Sequence, residues 1–433
     1  MLLRIHCLGL VLVACAISGL PVAGCAEVPW ARSPMPMAGG VGPCPARLKE
    51  IEQALQHKQG LVACRALRES EAYVSDNPSL AKAIVARFPR YDGTFSQAFA
   101  IAALGNARGE AAQEVVRSYA EASSDKRGFL CCVFGRMGRE ALAAAPMLRQ
   151  DLGNPGTDPD KQVLIRVALA AMGEASTAET DEIAQAIMTR GVPAQATLWA
   201  MMSIGSNEWV TEKIKEALVA VLDDFTVSPR RLPQADVPLM TIWVIGTLGK
   251  KADANVREAL AKAVDVMKGN DEFTSEYAVG FLSLAKIDPN RRHQTLSAAL
   301  SDESGPYSFY GGHSAVYLEG MCAGMKDEGF IRDVASFLAT DSPRVCVQAC
   351  NILRAVGFAA SSATPQLVRI VESSRDDQVG EVAAEALAMV AAPSDVKELT
   401  RLAQTIPSSR ALKRSLEEAI GVIELGVHNP IGN

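Results

Sequence analysis

Nine times along this chain an apolar run of helical spacing stops at a Gly or Ala, and no other feature constrains the fold as much. The stops fall at Leu104-Gly105, Met137-Gly138, Met172-Gly173, Ile204-Gly205, Leu248-Gly249, Leu284-Ala285, Gly324, Gly357 and Val390-Ala391, so successive positions lie 33, 35, 32, 44, 36, 39, 33 and 34 residues apart. A near-constant period of this length means one supersecondary unit repeated, and each unit has an apolar face that only its neighbours can cover. The stretch 127–152, RGFLCCVFGRMGREALAAAPMLRQDL, displays the unit: an apolar helix, a Met-Gly end, a short polar break, and a second apolar run from Ala141. Gly at such an end permits the left-handed backbone that closes a helix, an expectation that includes Leu104-Gly105.

Composition agrees with a helical body. With 48% hydrophobic, 21% charged and only 5% aromatic residues, the chain is rich enough in small apolar side chains to pack helix on helix and too apolar to stay unfolded. Small residues seven positions before a turn, namely Ala98, Cys131, Ala278 and Cys350, are expected to be buried where helices approach closely. A net charge of −6 excludes a broad nucleic-acid surface, which would cluster Lys and Arg to neutralise phosphates.

Three segments, VFGRMGREALAAAPML (133–148), IWVIGTLGKKADANVREAL (242–260) and RVCVQACNILRAVGFAASSATPQLVRIV (344–371), resemble the HEAT-repeat (armadillo-like) family, in particular its short bacterial members, and the resemblance extends over about residues 96–404. The ankyrin TPLH signature is absent, and Gly ends the first helix instead of lying inside it as in tetratricopeptide repeats. The resemblance implies an all-α, right-handed α-solenoid of about nine helix pairs. Residues 46–95 read as an N-terminal helical cap, 96–406 as the solenoid, and 407–433 as a C-terminal capping helix and tail.

The first 24 residues hold Arg4, an apolar core from Leu8 to Leu20 too short for a comfortable membrane span, and a small-residue end, the pattern of a secretory signal. Its last residues, Val22-Ala23-Gly24-Cys25, resemble the lipobox of bacterial lipoproteins, which implies that Cys25 carries a lipid. Simple cleavage nearby, after Ala26, is the alternative. Residues 25–45, rich in Pro, Gly and Met, suit a flexible tether. The expected location is the bacterial envelope, membrane-anchored and facing the periplasm or cell surface, with soluble periplasmic export as the alternative.

Chemical motifs are scarce. The five histidines, His6, His57, His293, His313 and His428, are scattered, and no HExxH, paired CxxC, G-x-S-x-G or Walker loop occurs. No catalytic residue, no metal ligand and no cofactor is therefore assigned. Beyond Cys7, Cys15 and Cys25, seven cysteines remain: Cys44, Cys64, Cys131, Cys132, Cys322, Cys346 and Cys350. Reduced thiols acting as small hydrophobes are the favoured reading, with a bridge from Cys322 to Cys346 or Cys350 as the alternative.

Two insertions break the period, FTVSPRRLPQADVP (225–238) and SDESGPYSFYGGH (301–313), and insertions in solenoids become loops, often on the binding face. Tyr307, Phe309, Tyr310, His313 and Tyr317 concentrate rings in a ring-poor chain. They either fill the gap the insertion opens or anchor a protein partner, and they are the candidate binding residues. The function expected is a non-catalytic scaffold for another protein, with no nucleic acid bound. A periplasmic enzyme or small-ligand-binding protein using the concave face is the alternative, since HEAT-like repeats also occur in bilin lyases and DNA-repair glycosylases.

Overall fold

The protein is described from a computed structural model covering residues 45–57, 60–88, 94–189, 191–205, 207, 209–229, 236–268, 274–301, 327–374, 376–406 and 410–425. Cys25, Cys44, Cys322 and the ring cluster Tyr307, Phe309, Tyr310, His313 and Tyr317 lie outside the described residues. Among those described there is no strand, and the fold is an all-α solenoid of helix pairs.

The helices are α1 (Pro45–Leu55), α2 (Gly60–Ser70), α3 (Pro78–Arg87), α4 (Thr94–Leu104), α5 (Gly109–Ala120), α6 (Ser124–Met137) and α7 (Ala145–Leu152). They continue with α8 (Pro159–Met172), α9 (Thr177–Met188), α10 (Val192–Ile204), α11 (Glu212–Val227), α12 (Asp236–Gly246), α13 (Ala254–Met267), α14 (Thr274–Ile287) and α15 (Arg292–Ser301). The last are α16 (Glu328–Ser336), α17 (Pro343–Val356), α18 (Thr364–Ser373), α19 (Asp377–Val390), α20 (Val396–Thr405) and α21 (Arg410–Leu425). The chain forms two compact units, one of residues 74–88 and 101–310, the other of residues 1–73, 89–100 and 311–433.

In the unit of residues 74–88 and 101–310, α6, α8, α10, α12 and α14 pack in succession as an inner layer, and α9, α11 and α13 as an outer one. The sequences explain the division. α13 buries Val256, Ala259, Leu260, Ala263, Val264 and Met267, a single stripe at spacings of three and four that leaves its other face to water. α6 instead buries every position from Phe129 to Gly135, a run that circles the whole helix. Packing against both α8 and α10 is what surrounds it.

Helix ends follow standard chemistry. Asp158 accepts from the amide of Asp160 to cap α8, Asp253 caps α13, and Ser176 with Glu179 forms a capping box on α9. At Gly138 and again at Gly357 the backbone takes φ 60°, ψ −130° and φ 72°, ψ −141°, a region open to glycine almost alone. Each is followed by a seven-residue 3-10 turn, Gly138–Ala144 and Gly357–Ala363, that delivers the chain to a helix with Pro in its first turn.

Three expected details differ. Gly105 does not take a positive φ; a side chain is excluded there because a Cβ would lie 2.1 Å from Cγ of Arg136. α14 runs past Ala285, which is buried inside it, and the turn comes after Ile287, since Ala lacks the conformational freedom with which Gly138, Gly173, Gly205 and Gly357 close their helices. Of the small residues expected to be buried, Cys131 and Cys350 are, whereas Ala98 is half-buried, one position short of the buried run that opens at Phe99. The 225–238 insertion ends α11 with Val227 largely exposed, and α12 begins at Asp236.

Ion pairs repeat with the helices. Arg149 pairs with Glu179, Lys213 with Asp181, Lys215 with Asp253, Arg354 with Glu385 and Arg401 with Glu372, over separations of 30, 32, 38, 31 and 29 residues. The separations track the repeat length, so each pair joins one helix pair to the next. Except for Lys215, which is buried, the partners lie at or near the surface, and such pairs set register more than stability.

The other unit is discontinuous in sequence. α17, α19 and α21 pack in succession, with α16, α18 and α20 against them, and the N-terminal pair α1–α2 joins the same core through contacts of α2 with the 357–363 turn and with α21. α17 buries every position from Val345 to Leu353. By length and a mean hydropathy of 1.2, residues Pro343–Ser373 qualify as a membrane span, but Gly357 divides them into two helices and 72% of the window is buried inside the protein.

Candidate functional site

Carbonyls at the ends of the inner helices and in the turns that follow them lack intrahelical donors, and arginines supply several of them. Arg108 donates to the carbonyls of Gly105 (3.1 Å) and Ala107 (2.8 Å), Arg149 to Glu174 (2.6 Å), Arg136 to Ile204 (3.3 Å) and Arg257 to Ala252 (3.2 Å). Arg292, itself buried, donates to Ala285 at 2.9 Å. Where the acceptor lies in the last turn of a helix, as Ile204 does in α10 and Ala285 in α14, the guanidinium also meets the negative end of the helix dipole.

Two further members of this set come from α2. Arg68 donates to the carbonyl of Arg354 at 2.8 Å and lies over the Phe99 ring with its guanidinium carbon 4.0 Å from the centroid. Arg65 donates to the carbonyls of Ala388 (2.6 Å) and Ala391 (2.9 Å). One turn of α2 thus serves the ends of two successive inner helices, α17 and α19, across 286 to 326 residues of sequence. Arg65 is 4% exposed, and burial pulls its pKa down to about 10 against the nearby Glu69 and Asp395 carboxylates.

Beside it lies a buried ion cluster within α1–α2. Arg47 donates through Nε to Oε1 of Glu69 (2.7 Å) and through Nη1 to Oε2 of Glu50 (2.9 Å), and all three side chains are buried. Burial lowers the Arg47 pKa, but the two carboxylates more than offset it and the net shift is upward.

Among the described thiols Cys64 is half-buried and the other four are sealed. Cys131 and Cys132 lie within the buried run of α6, and burial raises both, Cys132 to about 12. Cys131 adjoins a polar knot in which Tyr119 donates to Asp151 (2.8 Å) and Arg127 donates to the same carboxylate (3.1 Å). Burial, with the Asp151 carboxylate that its hydroxyl bonds, raises Tyr119 well above its usual range. Cys346 and Cys350 are buried and unbridged, so the alternative of a disulfide from Cys322 to either is not realised. The Asn351 amide has no such accommodation: it is 2% exposed and neither of its polar atoms has a hydrogen-bond partner among the described residues.

Among the described residues no three His, Cys, Asp or Glu side chains gather as metal ligands. Sequence reasoning missed the arginine caps. Arg108, three residues beyond Gly105, carried a local signal for one; Arg65 and Arg68 carried none, since their acceptors lie some three hundred residues away.

These features define a helical-repeat protein with arginine-capped turns. No family model matches the chain, and no curated protein matches it. Among solved structures it is similar to an engineered protein (16% identity, 87% of this chain and 99% of that one, TM-score 0.25). It is similar also to human deoxyhypusine hydroxylase in complex with glycerol (19%, 65% and 96%, TM-score 0.25) and to Kap121p (12%, 87% and 45%, TM-score 0.32). At such scores these likenesses carry no argument about what the chain binds or does.

Proposed function

We propose that the chain is a HEAT-type scaffold that holds another protein at the bacterial cell envelope without catalysing a reaction, anchored by a lipid on Cys25. The observation that supports this most is the burial of whole inner-helix circumferences at 129–135 and 345–353. Inner faces so filled leave the outer helices, with their mixed charges at Glu182, Glu212, Lys213, Glu258 and Lys262, as the accessible surface of each repeat. A rigid array of such faces suits protein recognition. Membrane attachment rests on the Val22-Ala23-Gly24-Cys25 motif, and the partner-binding role of Tyr307, Phe309, Tyr310, His313 and Tyr317 on their sequence context.

Crosslinking in intact envelopes followed by affinity capture of the chain tests the scaffold reading. A specific crosslinked protein, reduced when Tyr307, Phe309 and Tyr310 are replaced by Ala with thermal stability unchanged, is the expected result. Capture of the chain alone, under conditions where a small molecule copurifies with it, would count against it. Cys25→Ser should move the protein from the membrane to the soluble fraction; unchanged retention refutes the anchor.

A further inference from the structure

We propose that Cys346 and Cys350 form a two-sulfur site for a soft monovalent cation, Cu(I), held in line between the two thiolates on one ridge of α17. The residues are four apart, so they stand one turn above the other on the same side of the helix. Their side chains meet, the Cys350 thiol donating a hydrogen bond to the sulfur of Cys346, and both are buried. Cys131 and Cys132 lack this arrangement, because they are successive in α6 and successive residues of a helix do not face each other.

The pair is better placed for a metal ion than for a disulfide. Residues one turn apart hold their Cβ atoms about 5–6 Å from each other, whereas a disulfide brings them to about 3.5–4.5 Å. Closing the bridge would therefore distort α17 within its buried run from Val345 to Leu353. An ion between the sulfurs removes that conflict, since two metal–sulfur bonds of about 2.3 Å each add about 4.6 Å of span. Thiolates are the ligands that soft Cu(I) prefers. Two collinear sulfurs satisfy this ion, whereas Zn(II) takes four ligands.

Binding releases both thiol protons to solvent and moves no electron, so Cu(I) with its two thiolates carries one negative charge. A buried charge needs a positive neighbour. Arg354, four residues further along the same ridge and paired also with Glu385 at 2.6 Å, acts electrostatically on Cys350. Ala349 and Leu353, each three residues beyond a cysteine, are buried and keep the site apolar, which holds water away from the ion. Cys346 is 4% exposed and Cys350 not at all, so the ion arrives at Cys346 and Cys350 completes its coordination.

The test is an anaerobic titration of the full, reduced chain with Cu(I) against bicinchoninate, a chelator that colours on binding it. The wild type should retain one equivalent more than Cys346→Ser/Cys350→Ser, while Cys131→Ser/Cys132→Ser retains as much as the wild type. The difference between variants separates this pair from the other cysteines of the chain. In the wild type the first equivalent should slow hydrogen exchange in peptides covering α17 and leave α6 unchanged. Its X-ray absorption should show two sulfur neighbours and no nitrogen or oxygen. Equal retention by the wild type and a folded Cys346→Ser/Cys350→Ser chain overturns the proposal. So does a wild type that retains no copper, slowed exchange in α6 instead of α17, or a third ligand in the absorption spectrum. Should the serine variant not fold, the exchange and absorption measurements on the wild type decide alone.

Discussion

Gly138 and Gly357 share a conformation, a following seven-residue 3-10 turn and a Pro-initiated second helix, and they differ in one respect that can be measured. A Cβ at Gly138 would meet nothing nearer than the carbonyl of Ala171 at 3.7 Å, whereas at Gly357 it would fall on the Arg68 guanidinium. Gly138→Ala thus imposes backbone strain alone, about 1–3 kcal/mol for an L-residue at this φ and ψ. Gly357→Ala imposes the same strain and displaces Arg68 from the carbonyl of Arg354, a buried charge-assisted bond worth about 1.5–3 kcal/mol further. Expected destabilisations are therefore about 1–3 and about 2.5–6 kcal/mol. Urea denaturation followed by far-UV circular dichroism gives the totals, and hydrogen exchange in α6 and α17 assigns each loss to its own helix. Combining Gly357→Ala with Arg68→Ala should return the cost of the glycine change to that at Gly138. Equal losses in the two single variants would refute the claim that the arginine contact, beyond the turn, requires glycine at 357.

Other consequences can be checked separately. Asn351→Leu, which replaces an unpartnered buried amide with a side chain of like shape, should stabilise the protein by about 1 kcal/mol or more, seen as a raised Tm. Glu179 is held down to about 2 by the Arg149 guanidinium, with the Ser176 bonds adding to it. Its contribution is present above the ordinary carboxylate range and is lost as pH falls from about 4.5 to about 2. Because Arg149 is substantially exposed, the loss should stay under about 1 kcal/mol and vanish in Glu179→Gln, as read from Tm against pH. Cys131 and Cys132, both buried and raised, should resist iodoacetamide at pH 8 in the native protein and react at once in denaturant, as followed by mass spectrometry.

The repeat grammar was legible because it is local. Gly138, Gly173, Gly205 and Gly357 end their helices where the period placed them, and the alignment that put Cys131 and Cys350 at packing positions also predicted their burial. It erred where one residue type served two ends: Gly105 is small to admit Arg136, not to turn the chain, and Ala285 continues a helix that a glycine would have closed. The role of α2 had no signature at all. A charged helix near the N-terminus reads as an exposed cap, since burial of Arg65 and Arg68 depends on carbonyls that any sequence presents at a helix end. The candidate partner residues sit in an insertion that breaks the period, so no repeat register predicts how they are arranged.

The seating of α2 against α17, α19 and α21 also bears on how this chain can vary. An open repeat array gains or loses units freely, because each unit answers only to its neighbours. Here α1–α2 shares a core with α17, α19 and α21, so within this unit neither segment can be removed without uncovering the carbonyls of Arg354 and Ala388 that Arg68 and Arg65 meet. Truncation at the N-terminal end is thereby felt some three hundred residues away, at the ends of α17 and α19.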